Sequence, residues 1–362
     1  MSLEARLRER IQREGPISFY EWMKSALYDA REGYYCTPRV RQGRAGDYRT
    51  APETSPLFAA TFAEYFARLF AELGSPAQFT IVEAGAGTGH FAQGVLATLK
   101  AEHPQVFAAT RYVVEELSLA SRERCASRLG EFANRVSVRT PSAETGEKIT
   151  GVVFSNELID AFPVNRVVMR TGKLRQLFVG VDDSRFVWIE NNLEKAVDDY
   201  CKQIGLNLRE GQIAEINLDA DSFIASAATS LERGYVVTVD YGAERDELRS
   251  SPERRQGTLR AFRSHRFADD MLASPGQQDL TATIDWTQIK EAGERAGLRT
   301  RRFDGLDQFL IGEGLLDRIA AIASSVTDMA EALQLTTSAR ELIMPNGMAA
   351  SFQVLVQEKL NS

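Results

Sequence analysis

Three glycines at alternate positions, Gly85, Gly87 and Gly89, follow an acid, Glu83, that closes a run of apolar and β-branched residues, Phe79-Thr-Ile-Val-Glu-Ala84. A stretch of apolar and small residues from Phe91 to Leu99 comes next. This order predicts a buried strand over 79–84, a tight loop over 85–89 and a helix from Phe91. Glycine permits a turn that a Cβ would obstruct and lets the backbone approach a ligand closely. The spacing is GxGxG, with His90 where a dinucleotide fingerprint has its third glycine. That longer pattern seats a pyrophosphate on a helix N-terminus. The shorter one favours a nucleoside cofactor without phosphates, S-adenosylmethionine above all, and a plain glycine-rich turn is the alternative.

Other residues could complete such a site. Thr110-Arg-Tyr-Val-Val-Glu-Glu116 predicts a neighbouring parallel strand, which puts Glu115 where an acid accepts hydrogen bonds from both ribose hydroxyls. A solvated acid at a strand end is the plainer reading. Glu83 either orients the loop, meets the amino group of the cofactor, or is a structural carboxylate. Asn156, Glu157 and Asp160 follow a fourth predicted strand, and a helical Glu157-Leu-Ile-Asp160 would carry both acids on one face. A carboxylate there pairs with a guanidinium through two hydrogen bonds, fixing one nitrogen and drawing charge away from it. Glu157 is the first choice for that role and Asp160 the second, against a helix start in which Asn156 caps and Glu157 answers the dipole. Asp240 and Tyr241 follow a fifth strand and face the same crevice, where Tyr241 would shape a substrate channel by stacking. His265 reads as a base, a substrate contact or a surface histidine. His90 and His103 read as helix-start and surface residues, and no cluster has metal-ligand spacing.

The elements that must hold these residues follow from periodicity. Charged residues 3–13 predict a helix, Gly15-Pro16 breaks it, and Ser18 caps a second helix with Tyr20, Met23 and Leu27. An aromatic-rich amphipathic helix spans Leu57 to Leu73. Strands are expected near 79–84, 111–115, 134–138 and 150–155, the alternation of a parallel sheet covered on both faces. Residues 164–192 change to short alternating strips separated by Thr-Gly and Asp-Asp-Ser, an inserted antiparallel meander. Leu218–Leu231 reads as helix, Gly234–Asp240 as a buried strand, and the arginine-rich 246–267 as an irregular flap. Trp286–Ala296 and Leu315–Leu333 read as helices. Leu298–Phe303 and Ser351–Glu358 read as strands, the last one antiparallel by fold analogy.

A chain of 362 residues buries a large core in one enlarged domain or two. Its formal charge of −7 argues against broad nucleic-acid binding while suiting a basic protein substrate. Cys36, Cys125 and Cys201 form no CxxC pattern, and no run is long enough to cross a membrane. The first residues alternate charges where a secretory signal needs an apolar core, so a cytoplasmic protein without membrane insertion is expected. A homodimer is left open.

Motifs spread along the chain resemble the MidA and complex I assembly factor 7 family of S-adenosylmethionine-dependent methyltransferases. They are Gly15-Pro-Ile-Ser-Phe19, Gly33-Tyr-Tyr35, Gly46-Asp-Tyr-Arg-Thr-Ala-Pro-Glu53, Val82–Gly89, Asn156-Glu-Leu-Ile-Asp-Ala-Phe-Pro-Val164, Asp240-Tyr-Gly242, Gly257–Ala261, Asp279-Leu-Thr-Ala282 and the stretch from Pro345 to Val356. The resemblance implies a class I, Rossmann-like α/β fold with a seven-stranded sheet, an N-terminal helical cap and an antiparallel insertion. The expected division is a cap over 1–74, a core over 75–163 and 233–362, and an insertion over 164–232. It also implies that Gly46, Asp47 and Tyr48 fold over the cofactor and substrate channel, and that the substrate is an arginine of a protein. A small-molecule O- or N-methyltransferase and a noncatalytic assembly factor are the rival readings. Relatives usually carry a proline and an arginine where this chain has Ala86 and Thr88, and a histidine where it has Thr283.

Overall fold

The structure, a computed structural model, describes residues 1–37, 55–141, 148–183, 185–263, 266–325, 333, 337–338, 340, 342–344 and 351–359. The chain separates into two compact units. One comprises Met1–Arg39, Ile159–Ser222 and Ala243–Gln288; the other comprises Val40–Leu158, Phe223–Gly242 and Ile289–Ser362.

The second unit is built on β1 (Phe79–Ala84), β2 (Thr110–Glu115), β3 (Val136–Arg139), β4 (Ile149–Asn156), β5 (Leu231–Ala243), β6 (Arg299–Gly305) and β7 (Phe352–Lys359). They line up as β3-β2-β1-β4-β5-β7-β6. The pairs from β3 to β5 are parallel, and β7 runs antiparallel to both β5 and β6. This is the expected Rossmann-like sheet with its reversed last strand. Every residue of β1 is buried, which identifies it as a central strand covered on both faces.

The helix Pro56–Glu72 covers one face. Proline at its start has φ already set for a helix, and Phe58, Phe62 and Phe66 recur at intervals of four along one stripe. These rings meet Phe91 and Phe154, the latter two stacked with centroids 4.3 Å apart. Burying each such ring stabilises the fold by about 1.5–3 kcal/mol. The aromatic cluster thereby fixes the helix His90–Glu102, and with it the glycine loop that precedes it.

The first unit opens with helices Leu3–Glu14 and Phe19–Tyr28, and the Ser18 hydroxyl accepts from the Glu21 amide at 3.4 Å as the sequence predicts. Its larger sheet contains the expected meander, Asn165–Arg170, Lys173–Asp182 and Arg185–Asn191, joined by Ile213–Ile216 and the short Ile17–Ser18. Thr171 and Gly172 turn the first hairpin with φ of 48° and 74°, the mirror-image turn that matches strand twist. Arg166 and Glu215 form a buried ion pair at 3.0 Å, with the Trp188 ring 5.0 Å from the guanidinium carbon.

The 246–267 segment departs from the expected irregular flap. It contains the helix Arg245–Ser250 and the strands Arg260–Arg263 and Arg266–Phe267, which join Asp279–Thr281 in a three-stranded sheet. The partner that orders Arg260–Arg263 lies beyond the segment, where local composition carries no information about it. Leu315–Ser325 is helical, and most of the remainder predicted to Leu333 lies outside the described residues. Among the described residues no helix is long and apolar enough to cross a membrane.

Candidate active site

Register aligns the carboxyl ends of the central strands. Ala84 stands beside Glu115 on one side and Ser155 on the other, Ser155 beside Thr238, and Asn156 beside Val239. The chain leaves β1 through Gly85, Gly87 and Gly89, whose φ values are 72°, 56° and 79°. All three lie in the left-handed region that side chains resist. Space adds a second constraint: a methyl group on Gly85 would stand 2.8 Å from Leu158 Cδ1, and one on Gly89 would stand 2.6 Å from Cys125 Sγ. The loop is held from below by Arg128, whose Nε donates to the Thr88 carbonyl at 2.9 Å. Thr88 Oγ1 and His90 Nδ1 are 2.9 Å apart, and burial, with Arg128 nearby, lowers the His90 pKa.

Glu83 lies beneath this loop, fully buried, and its Oε2 accepts from the Tyr112 hydroxyl at 2.7 Å. Burial pushes its carboxyl up to about 8, against the Tyr112 hydrogen bond, with Glu116 adding to the rise. The group is therefore predominantly the neutral acid at pH 7.

Glu115 meets the loop through its backbone, its carbonyl accepting from the Gly85 amide at 2.8 Å, but its side chain turns away. Its carboxylate faces Arg139, with Oε1 2.7 Å from the guanidinium. The next residue, Glu116, accepts from the Gly87 amide at 2.9 Å and from the Ser118 amide at 2.8 Å. Burial raises its pKa while those backbone donors oppose the rise. Sequence reasoning missed Glu116 because two acids stand side by side. Strand alternation was the available signal, since Glu116 shares its parity with Tyr112 and Val114, while Glu115 falls with Val113.

The helix expected after β4 is absent. Glu157 takes a left-handed backbone with φ of 50°, its amide donates to the Val239 carbonyl at 3.0 Å, and a turn over Ile159–Phe162 follows. Glu157 and Asp160 therefore do not share a helix face, and Asn156 caps no helix. Pro163 is a physical reason, because it disfavours helical geometry at Phe162. Asn156 Nδ2 instead donates to Glu157 Oε1 at 3.0 Å, and Asn156 Oδ1 is buried with no hydrogen-bond partner among the described residues.

Asp240, fully buried, accepts from the Tyr241 amide at 2.9 Å, and the Tyr241 ring meets Phe352 edge-on at 5.7 Å. The second unit thus brings Glu83, the three glycines, Asn156, Glu157, Asp240 and Tyr241 toward the carboxyl ends of the central strands, with Asp240 and Tyr241 still inside β5 and not after it. Asp160 belongs to the first unit, where its carbonyl accepts from Ala282 at 2.9 Å; Tyr35 there donates to Asp279 at 2.6 Å. The Thr283 amide meets the Thr258 hydroxyl at 3.2 Å. Gly46, Asp47, Tyr48 and His265 lie outside the described residues. Among the described residues one group, Glu64, Glu102 and His103, has ligand atoms close enough to hold an ion, but Arg318 already supplies a cation to both carboxylates at 3.2 and 2.8 Å.

Residues 61–304 match the family described as "Putative S-adenosyl-L-methionine-dependent methyltransferase". The chain is similar to the mitochondrial protein arginine methyltransferase NDUFAF7 homolog of Drosophila melanogaster, 27% identical over 82% of this chain and 71% of that protein. It is 23% identical to the mitochondrial protein arginine methyltransferase NDUFAF7 of Danio rerio, over 97% of this chain and 86% of that protein. A crystal structure of a Burkholderia thailandensis protein bound to S-adenosyl-homocysteine matches with a TM-score of 0.87 and 30% identity, covering 99% of this chain and 92% of that one.

Proposed function

The chain belongs to the S-adenosyl-L-methionine-dependent methyltransferase family, and from that membership we propose that it methylates a guanidinium nitrogen of an arginine on a protein substrate. The observation that carries the reading is the strained backbone of Glu157 just past the end of β4, where its amide meets the Val239 carbonyl, one residue before Asp240 and Tyr241 in β5. A residue held in the left-handed region costs about 1–3 kcal/mol and persists where the surroundings enforce it, commonly at functional sites. The relatives from Drosophila melanogaster and Danio rerio are named as protein arginine methyltransferases, which supports the substrate class.

The residues at these strand ends suit the cofactor. Gly85, Gly87 and Gly89 leave the loop without side chains where close approach is needed, and Asn156 Oδ1 is a buried acceptor that lacks a donor among the described residues. Glu116, reaching the loop at Gly87, replaces Glu115 as the proposed acceptor for ribose hydroxyls. When bound, S-adenosylmethionine supplies a methyl group on a sulfonium. Glu157 orients the guanidinium through paired hydrogen bonds, concentrates positive charge away from the attacking nitrogen, and stands as acceptor for the proton that the methylated group releases. Proximity and exclusion of water supply most of the rest. We assign cofactor chemistry to the second unit, which holds the glycine loop, and substrate recognition to the first.

Incubation with isotope-labelled S-adenosylmethionine and an extract of the host, followed by mass spectrometry, is expected to find label on protein arginine. Label confined to small molecules would refute the assignment. Glu157→Gln is expected to slow transfer at least about tenfold, roughly 1.4 kcal/mol in barrier, with cofactor affinity near unchanged.

A further inference from the structure

The strands Arg260–Arg263 and Arg266–Phe267 carry a feature that methyl transfer does not use. In this hairpin Phe262 pairs with Phe267 and Arg263 with Arg266. Side chains alternate between faces, so Arg260, Phe262 and Phe267 share one side, and Arg263 and Arg266 share the other with Ala261. Ala261 is buried, whereas Arg263 and Arg266 are exposed beyond it. Like charges directly opposite one another repel. Neither of the two arginines has an ion pair among the described residues; Arg263 reaches only the Gln277 amide oxygen, at 3.4 Å. On the other side the Phe262 and Phe267 rings lie 4.7 Å apart, and Phe267 is 69% exposed. Arg266–Phe267 is the outer strand of its sheet, since the order places Arg260–Arg263 in the middle.

We propose that this edge accepts an extended segment of a protein partner in which acidic and apolar residues alternate. A strand added beside Arg266–Phe267 would send alternate side chains to the two faces, acids to Arg263 and Arg266, apolar groups to Phe262 and Phe267. Its backbone would use the outward hydrogen-bonding groups of an edge strand. Charge selects this occupant: the patch is cationic on a chain of net charge −7. Exposed Asp269 and Asp270 limit the cationic surface. A flat anionic membrane or a phosphate backbone would meet those acids, whereas a short strand paired with Arg266–Phe267 need not extend to them. This docking does not depend on the arginine-methylation reading.

The test is fluorescence anisotropy of a labelled peptide of repeated Glu-Leu against the full chain, with a Lys-Leu peptide as charge control. The Glu-Leu peptide is expected to bind with an affinity that falls as salt rises, and about tenfold more weakly to Arg263→Glu/Arg266→Glu. Phe267→Ser should weaken it about threefold or more through lost apolar contact. Unchanged S-adenosyl-homocysteine binding and melting temperature establish that the variants are folded; if the charge reversal fails this check, Arg263→Gln/Arg266→Gln replaces it. Absent binding, equal binding to wild type and variants, or equal binding of the Lys-Leu peptide overturns the proposal. So does displacement of function to another class of partner, read as binding of anionic vesicles or single-stranded RNA that is lost in the same variants while peptide binding is not. Self-association of the chain that disappears with the charge reversal, without peptide binding, overturns it in favour of a second copy.

Discussion

Two buried acids, one in each unit, are treated in opposite ways. Glu215 in the first unit faces Arg166 at 3.0 Å and also accepts from the Thr258 amide at 2.7 Å, so its charge is met inside the protein. Glu83 in the second unit meets no cation among the described residues; it has Tyr112 and a glycine loop above it, and burial lifts its pKa instead. Full compensation fixes structure. A carboxyl held neutral beneath the glycine loop retains its response to pH and to charge brought in from outside. The first unit's meander sheet therefore reads as a scaffold, and the carboxyl ends of the central strands as the responsive region.

The largest expected effect tests the scaffold. Arg166→Leu would leave the Glu215 charge buried without its cation, and should cost about 3–5 kcal/mol in denaturant unfolding. The ring of Trp188 would lose its cation as well. A loss below about 1 kcal/mol, the range of exposed pairs, would break the contrast by showing that water reaches Glu215.

Two glycines sharpen it next, because their backbones match and their surroundings do not. Gly172 in the first unit has φ of 74° and open space where a side chain would go; Gly89 has φ of 79° and Cys125 Sγ in the way. Gly172→Ala should cost only the left-handed penalty of about 1–2 kcal/mol. Gly89→Ala should cost that plus about 1–3 kcal/mol of overpacking, and should also abolish S-adenosyl-homocysteine binding measured by calorimetry. Adding Cys125→Ala to the latter is expected to recover part of the stability. Equal costs at the two glycines would remove steric closure of the loop as a cause.

What the sequence made legible follows the same division. β1 was readable to the residue because a fully buried strand stopped by alternate glycines leaves few other conformations. The aromatic stripe of Pro56–Glu72 and the mirror-turn Thr171-Gly172 were readable because each rule acts over a few neighbouring residues. Glu157 was identified as a candidate from its residue type and position, but its geometry was not foreseen, since its amide pairs with the Val239 carbonyl, on a strand far along the chain. Arg260–Arg263 was hidden for the related reason that Asp279–Thr281, far along the chain, makes it a strand. Glu116 was displaced by its neighbour because which of two adjacent acids faces the loop depends on strand parity, a property of the sheet.

The last test is read as a slope; it concerns Glu83 itself and has a defined sign. Its carboxyl titrates near 8 in the folded protein and near the ordinary glutamate value when unfolded. Between those values the native state binds the extra proton, so this group's contribution to stability is full at acid pH and is lost as pH rises toward 8. The groups that face it are Tyr112 and Cys125, both pushed upward by burial, and Glu116, whose upward shift gives a slope of the same sign. Tyr112 and Cys125 stay protonated across the window. Glu83→Gln keeps an acceptor for the Tyr112 hydroxyl and removes the titration, while any cost of placing the amide is constant with pH. The unfolding free energy of the variant relative to wild type should therefore climb by about 1.4 kcal/mol per pH unit from about pH 5 to about pH 8, then level. Parallel curves for the two proteins would mean that Glu83 is ionised throughout, and the distinction between a compensated acid in the meander sheet and a responsive one beneath the loop would fall.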